Sequence, residues 1–117
     1  MLIYKFIHLF LGSYSGFIRL TPEGTIIFNL NQTEFINQLL QEISLILPVD
    51  LDRLRSERPY KIDTSTPSEQ LIIPLQIKST NNLSKRNAYS LQGDLNVMIL
   101  NKGFTAISMH PHTSLLD

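Results

Sequence analysis

Phe35, Ile36, Leu39, Leu40, Ile43, Ile46 and Leu47 recur at spacings of three and four residues. A strand would scatter these side chains over two faces, whereas a helix gathers all seven on one. Asn31 followed by Glu34 resembles a capping box, with Thr33 as a second candidate cap. Pro48 stops the helix. Gln38, Gln41, Glu42 and Ser44 take most of the opposite face. Burying such a stripe contributes on the order of 10–20 kcal/mol before conformational entropy is counted. The helix must therefore dock on another apolar layer.

The rest of the chain supplies that layer. Leu71, Ile73, Leu75 and Ile77 alternate within Leu71–Lys78, as on a strand with one buried face. Pro74 in the same run predicts an edge or a bulge, since proline lacks an amide hydrogen. Tyr60 and Ile62 alternate with Lys61 and Asp63, which predicts a half-exposed strand. Thr21-Pro22-Glu23-Gly24 reads as a turn, and the β-branched run Thr25–Leu30 as a buried strand after it. A second helix is expected from about Asn87 to Lys102, with Ala88, Leu91, Leu95, Met98 and Ile99 as its stripe and Gly103 as a left-handed stop. Phe104–Met109 alternates as a last strand.

The expected order is strand, helix, strand, strand, helix, strand. This is an α+β fold, a ferredoxin-like split βαβ sandwich with an antiparallel sheet and two helices on one face. Three segments follow: an apolar N-terminal segment at 1–20, a single α+β domain at 21–109 and a polar tail at 110–117. In the first segment, Lys5 and His8 are the only basic side chains between Met1 and Leu11. That run is too short to span a bilayer. It reads either as a signal or anchor, with Ser13-Tyr14-Ser15 as a small-x-small cleavage site, or as an extra strand.

Chemistry is sparse. The chain of 117 residues has no Cys, which excludes disulfides, thiolate metal sites and cysteine nucleophiles. Ten Lys+Arg balance ten Asp+Glu, so there is no global basic bias toward nucleic acid or anionic lipid. Neither a Gly-x-Ser-x-Gly elbow nor a phosphate-binding glycine loop occurs. His110-Pro111-His112 places two imidazoles on one side of an extended chain, with Asp117 as the nearest third ligand, but reads as part of the solvated tail. Asp50 and Asp52 lie beside Arg53 and Arg55, which suits capping and surface ion pairs rather than acid–base work. Lys85-Arg86 is a two-residue basic patch and does not make a groove. Phe28, Tyr60 and Phe104 lack the basic flanks of an RNA-stacking sheet and read as core. No residue is assigned a catalytic, cofactor-binding or metal-ligating role, and no cofactor is expected.

Asn31-Gln32-Thr33 and Asn82-Leu83-Ser84 are glycosylation sequons, making Asn31 and Asn82 the candidate modification sites. From about Thr25 to Met109 the chain resembles an SEA-type domain, a ferredoxin-like module of extracellular parts of membrane proteins. Phe35–Leu47 is similar to its long first helix, Pro48–Leu54 to the link before the second strand, and Tyr60–Ile62 with Leu71–Ile77 to its central hairpin. Some families of this type cleave themselves at a Gly-Ser step in that hairpin. Asp63-Thr64-Ser65-Thr66-Pro67 has no Gly before Ser, so the resemblance does not imply cleavage here. It implies a non-enzymatic extracytoplasmic structural or interaction module of a secreted or cell-surface protein. Its partner would be a protein or a carbohydrate, without nucleic acid, and membrane contact would come only through the apolar N-terminus or segments outside the domain. The alternatives are an intracellular ferredoxin-like regulatory or ligand-binding domain acting as a dimer, and a small enzyme.

Overall fold

The computed structural model describes residues 12–117. The signal or anchor reading of the apolar N-terminus falls largely on residues 1–11, outside the described ones. The next residues form strand β1 (Tyr14–Arg19). Helices α1 (Pro22–Leu30) and α2 (Gln32–Ile46) follow. Then come the short strands β2 (Leu54–Arg55) and β3 (Lys61–Asp63), the long strand β4 (Gln70–Ile77) and helix α3 (Ala88–Leu100). Three 3₁₀ turns at Lys102–Phe104, Ala106–Met109 and Thr113–Leu115 complete the described chain. The described residues form an α+β fold, with a four-stranded antiparallel sheet and three helices.

The apolar stripe from Phe35 to Leu47 is the core-facing side of α2. Phe35, Ile36, Leu39, Ile43 and Leu47 are buried, and Leu40 and Ile46 pack partly buried against them. Asn31 caps the helix, accepting a hydrogen bond from the Glu34 amide at 3.1 Å while its Nδ2 donates to Glu34 Oε2. The helix ends at Ile46, with Leu47 as its cap immediately before Pro48.

Strand β4 is the spine of the sheet. It pairs with β1 along one side, and with β3 and β2 in succession along the other. Leu71, Ile73, Leu75 and Ile77 face the helices and are buried, as the alternation predicts. Pro74, expected at an edge or a bulge, stands in this central strand opposite Phe17. The Leu20 amide donates to the Leu71 carbonyl, so in this register the odd-numbered residues of β4 bond toward β1. The nitrogen of Pro74 points the other way, into the gap between β2, which pairs with 76–77, and β3, which pairs with 70–72. No ladder bond is lost there.

Several expectations are corrected. Thr25–Leu30 is not a strand but most of helix α1. Thr21, read as the start of a turn, is an N-cap: its Oγ1 accepts from the Gly24 amide at 3.0 Å, with Pro22 in the first turn and Glu23 beside it. The β-branched Thr25 is accommodated because its hydroxyl donates to the Thr21 carbonyl and accepts from the Leu71 amide at 2.9 Å, tying α1 to β4. Gly103 adopts no left-handed conformation, and α3 ends on Asn101 instead. Phe104–Met109 is two 3₁₀ turns, in which Ile107 alone is buried and Phe104 is 96% exposed. Without strands at 25–30 and 104–109, and with β1 antiparallel to β4, the described chain departs from the expected split βαβ order.

Residues 110–117, read as a polar tail, are built into the fold. Thr113 and Leu116 are fully buried, and Leu116 bridges to Leu20. The Asp117 amide donates to the Arg19 carbonyl at 2.8 Å, and the Thr21 amide to the Leu115 carbonyl at 2.8 Å. The C-terminal segment thus closes over the junction of β1 and α1.

Candidate functional site

Helices cover one face of the sheet; among the described residues none covers the other. That open face carries Ser15, Phe17 and Arg19 from β1, Arg55 from β2, Lys61 from β3, and Ile72, Pro74 and Gln76 from β4, as the register dictates. Phe17 is 62% exposed. Because the strands flanking β4 leave a gap opposite Pro74, the surface there is a groove of about 440 Å³. Phe17 and Pro74 form its apolar floor, and Arg55, Arg58, Lys61 and Glu57 its charged rim. Three cations thus face one carboxylate. Glu57 lies 3.6 Å from Arg55, leaving Arg58 and Lys61 without an ion-pair partner among the described residues.

At the far end of the same face stands a closed electrostatic network. Arg19 Nη1 reaches Asp63 at 2.9 Å, and its Nη2 reaches Asp117 at 3.0 Å. Gln70 Nε2 donates to Asp117 at 2.7 Å and to the Leu20 carbonyl at 2.9 Å. Hydrogen bonds from the Ser65 hydroxyl and amide, and then the Arg19 guanidinium, hold the Asp63 carboxyl down at about 2. A carboxylate so fully ionised and occupied suits neither a general acid nor a general base near neutrality.

A third polar group lies in the helical layer. Glu42, read as solvent-facing, is buried. Its carboxylate accepts from the amides of His112 and Thr113, both at 2.9 Å, and sits 2.5 Å from His112 Nδ1. The His112 ring packs edge-on against Phe35 with centroids 5.1 Å apart. With two backbone amides on it, this carboxylate caps the 3₁₀ turn at 113–115, a structural task.

The remaining sequence candidates are dispersed. Asn31 is committed as the cap of α2, and Asn82 lies exposed in the loop before α3, its Oδ1 accepting from the Ser84 amide and hydroxyl. Asp50 pairs with Lys85, and Lys85 and then Arg53 hold its carboxyl below the usual range. Asp52 is exposed, and Arg86 pairs with Asp94. Phe28 and Tyr60 do belong to the core as an edge-to-face pair at 5.1 Å, though Phe28 comes from a helix; exposed Phe104 does not. His110 and His112 belong to no cluster: among the described residues no three His, Cys, Asp or Glu side chains gather to hold a metal. No described helix is long and apolar enough to cross a membrane.

Sequence reasoning missed Phe17, Glu42 and Arg53. Phe17 fell in the apolar segment at 1–20, and its outward position follows only from the register with β4. Arg53 fell in a run of alternating charge, yet is 7% exposed. Nothing in that run distinguishes it from Arg55 two residues on. Compared with known proteins, the chain matches no family model, no curated protein and no solved structure.

Proposed function

We propose that this chain is a non-enzymatic interaction module that binds an extended acidic protein segment along the open face of its sheet. The supporting observation is Phe17, exposed beside Pro74 in a groove whose rim holds Arg55, Arg58 and Lys61 against Glu57 alone. An aromatic anchor inside a cationic rim suits a partner with one apolar side chain flanked by carboxylates. The polar groups that resemble catalytic pairs, Glu42 with His112 and Asp63 with Arg19, are engaged in holding the fold. An extracytoplasmic setting, in the manner of SEA-type modules, is part of this reading; it rests on the sequence resemblance and the two sequons. Asn82, exposed in its loop, would be the better glycan acceptor, since Asn31 is engaged at the start of α2.

The test is a titration of isotope-labelled chain with an acidic peptide carrying one central aromatic residue, read by amide shifts. Saturable shifts centred on Phe17, Lys61 and Gln76, lost in Phe17→Ser and weakened in Lys61→Glu, support the reading. Shifts elsewhere or none overturn it. Concentration-dependent self-association through the same residues, without peptide, would favour the dimeric regulatory domain instead. For the compartment, the chain is expressed in a secretory host. Glycan on Asn82 in excess of Asn31 supports export; a chain retained in the cytosol with both sites bare opposes it.

A further inference from the structure

We propose that the cleft between the end of α2 and the start of α3 binds a small oxyanion of the phosphate class, with Arg53 and Lys85 as its cationic partners. The site is separate from the open sheet face and does not depend on that reading.

Arg53 is the anomaly that points there. It is more than nine-tenths buried, and its Nε and Nη1 donate to the carbonyls of Lys78 at 3.0 Å and Arg86 at 2.8 Å. Its Nη2 is buried and has no acceptor among the described residues. No carboxylate of the described residues lies within ion-pair distance of it, whereas Arg55 and Arg86 each have one and Arg19 has two. A dehydrated guanidinium with no carboxylate in contact and with an idle donor is costly to bury.

Arg53 lines a cleft of about 230 Å³, together with Pro48, Asp50, Ser84, Lys85 and Arg86. Its walls thus carry three cations and a single carboxylate, Asp50. Arg86 is engaged with Asp94 and with the carbonyl of Leu47. Among the described residues the Lys85 ammonium is engaged only by Asp50. Helix α3 starts at Ala88, just beyond this rim, and adds the partial positive charge of its first turn. The volume suits inorganic phosphate or a compact phosphomonoester. The buried charge of Arg53 beneath the cleft and the Lys85 ammonium on its wall both attract an anion seated there. Binding exchanges Asp50 for the anion on Lys85, so Asp50 acts as an internal competitor.

That competition gives the test opposite signs at two exposed positions. Phosphate binding to the full chain is followed by calorimetry and by amide shifts, at ionic strength held constant with chloride. Glycerol-2-phosphate in a parallel arm separates a free anion from a monoester. Lys85→Gln should weaken binding by about tenfold, and Asp50→Asn should tighten it several-fold, on the scale of one charge-assisted contact. Arg53→Gln should abolish it; because that variant also loses two backbone contacts, its folding is checked by circular dichroism, and the Lys85 and Asp50 pair carries the conclusion if it unfolds. Absence of saturable phosphate binding overturns the proposal. So do equal effects of chloride and phosphate, or Lys85 and Asp50 variants that shift affinity in the same direction.

Discussion

The carboxylate of Glu42, on α2, receives the backbone amides of His112 and Thr113, 70 and 71 residues further along the chain, each at 2.9 Å. A side chain on the long helix thus satisfies the orphan donors of the C-terminal 3₁₀ turn. Both amides converge on the same oxygen, Oε1, so Glu42→Leu removes the acceptor of both. We expect a loss of about 1–3 kcal/mol, the cost of leaving buried donors unpaired. Urea denaturation measures it, and faster hydrogen exchange at Thr113 and Ser114 would locate it. Wild-type stability and exchange would show that Glu42 does not hold this segment.

Two helical glycines should respond to alanine with opposite signs. At Gly24, in the first turn of α1, a Cβ would lie 2.9 Å from Leu115 Cβ and 3.1 Å from the Leu115 carbonyl oxygen. Neither atom is the free end of a side chain, so Gly24→Ala must push α1 away from the C-terminal segment, at a cost of about 1–3 kcal/mol. At Gly93, within α3, a Cβ meets nothing within 4 Å. Gly93→Ala should stabilise by about 0.5–1 kcal/mol through helix propensity. Parallel thermal melts check both.

Acid should weaken the fold partly through Asp63. Ser65 and Arg19 hold its carboxyl at about 2, against about 3.9 in an unfolded chain. A group whose folded value is depressed stabilises the fold above its unfolded value. Its contribution is complete above about pH 5, falls from about pH 4 downward and is gone below about pH 2. Asp63→Asn should remove that part of the slope in a denaturation series from pH 6 to pH 2. An unchanged slope would show that Asp63 does not share in the acid response.

At the centre of the α2 stripe, Leu39 is fully buried. Leu39→Ala should cost about 2–5 kcal/mol, combining lost transfer energy with the cavity left behind. Guanidinium denaturation measures it, and a loss below about half a kcal/mol would contradict the packing described for this face.

The sequence by itself determined α2 and β4. Their periods of 3.6 and 2 are written over many residues and lead to one buried face each, and Asn31 with Glu34 marks where α2 begins. It also carried the start of α1, since Thr21-Pro22-Glu23 is a helix-opening pattern; the β-branched run after it spoke for a strand. Tertiary structure decided that conflict, through the Leu71 amide held by Thr25 and the close approach of Gly24 to Leu115. The burial of Arg53 and Glu42, the outward turn of Phe17 and the folding-in of residues 110–117 likewise lay beyond local reading. A periodic pattern reports which side of an element avoids water. The partners of a buried charge or a capping carboxylate come from segments 25 to 71 residues away, and only the folded chain brings them within hydrogen-bond distance.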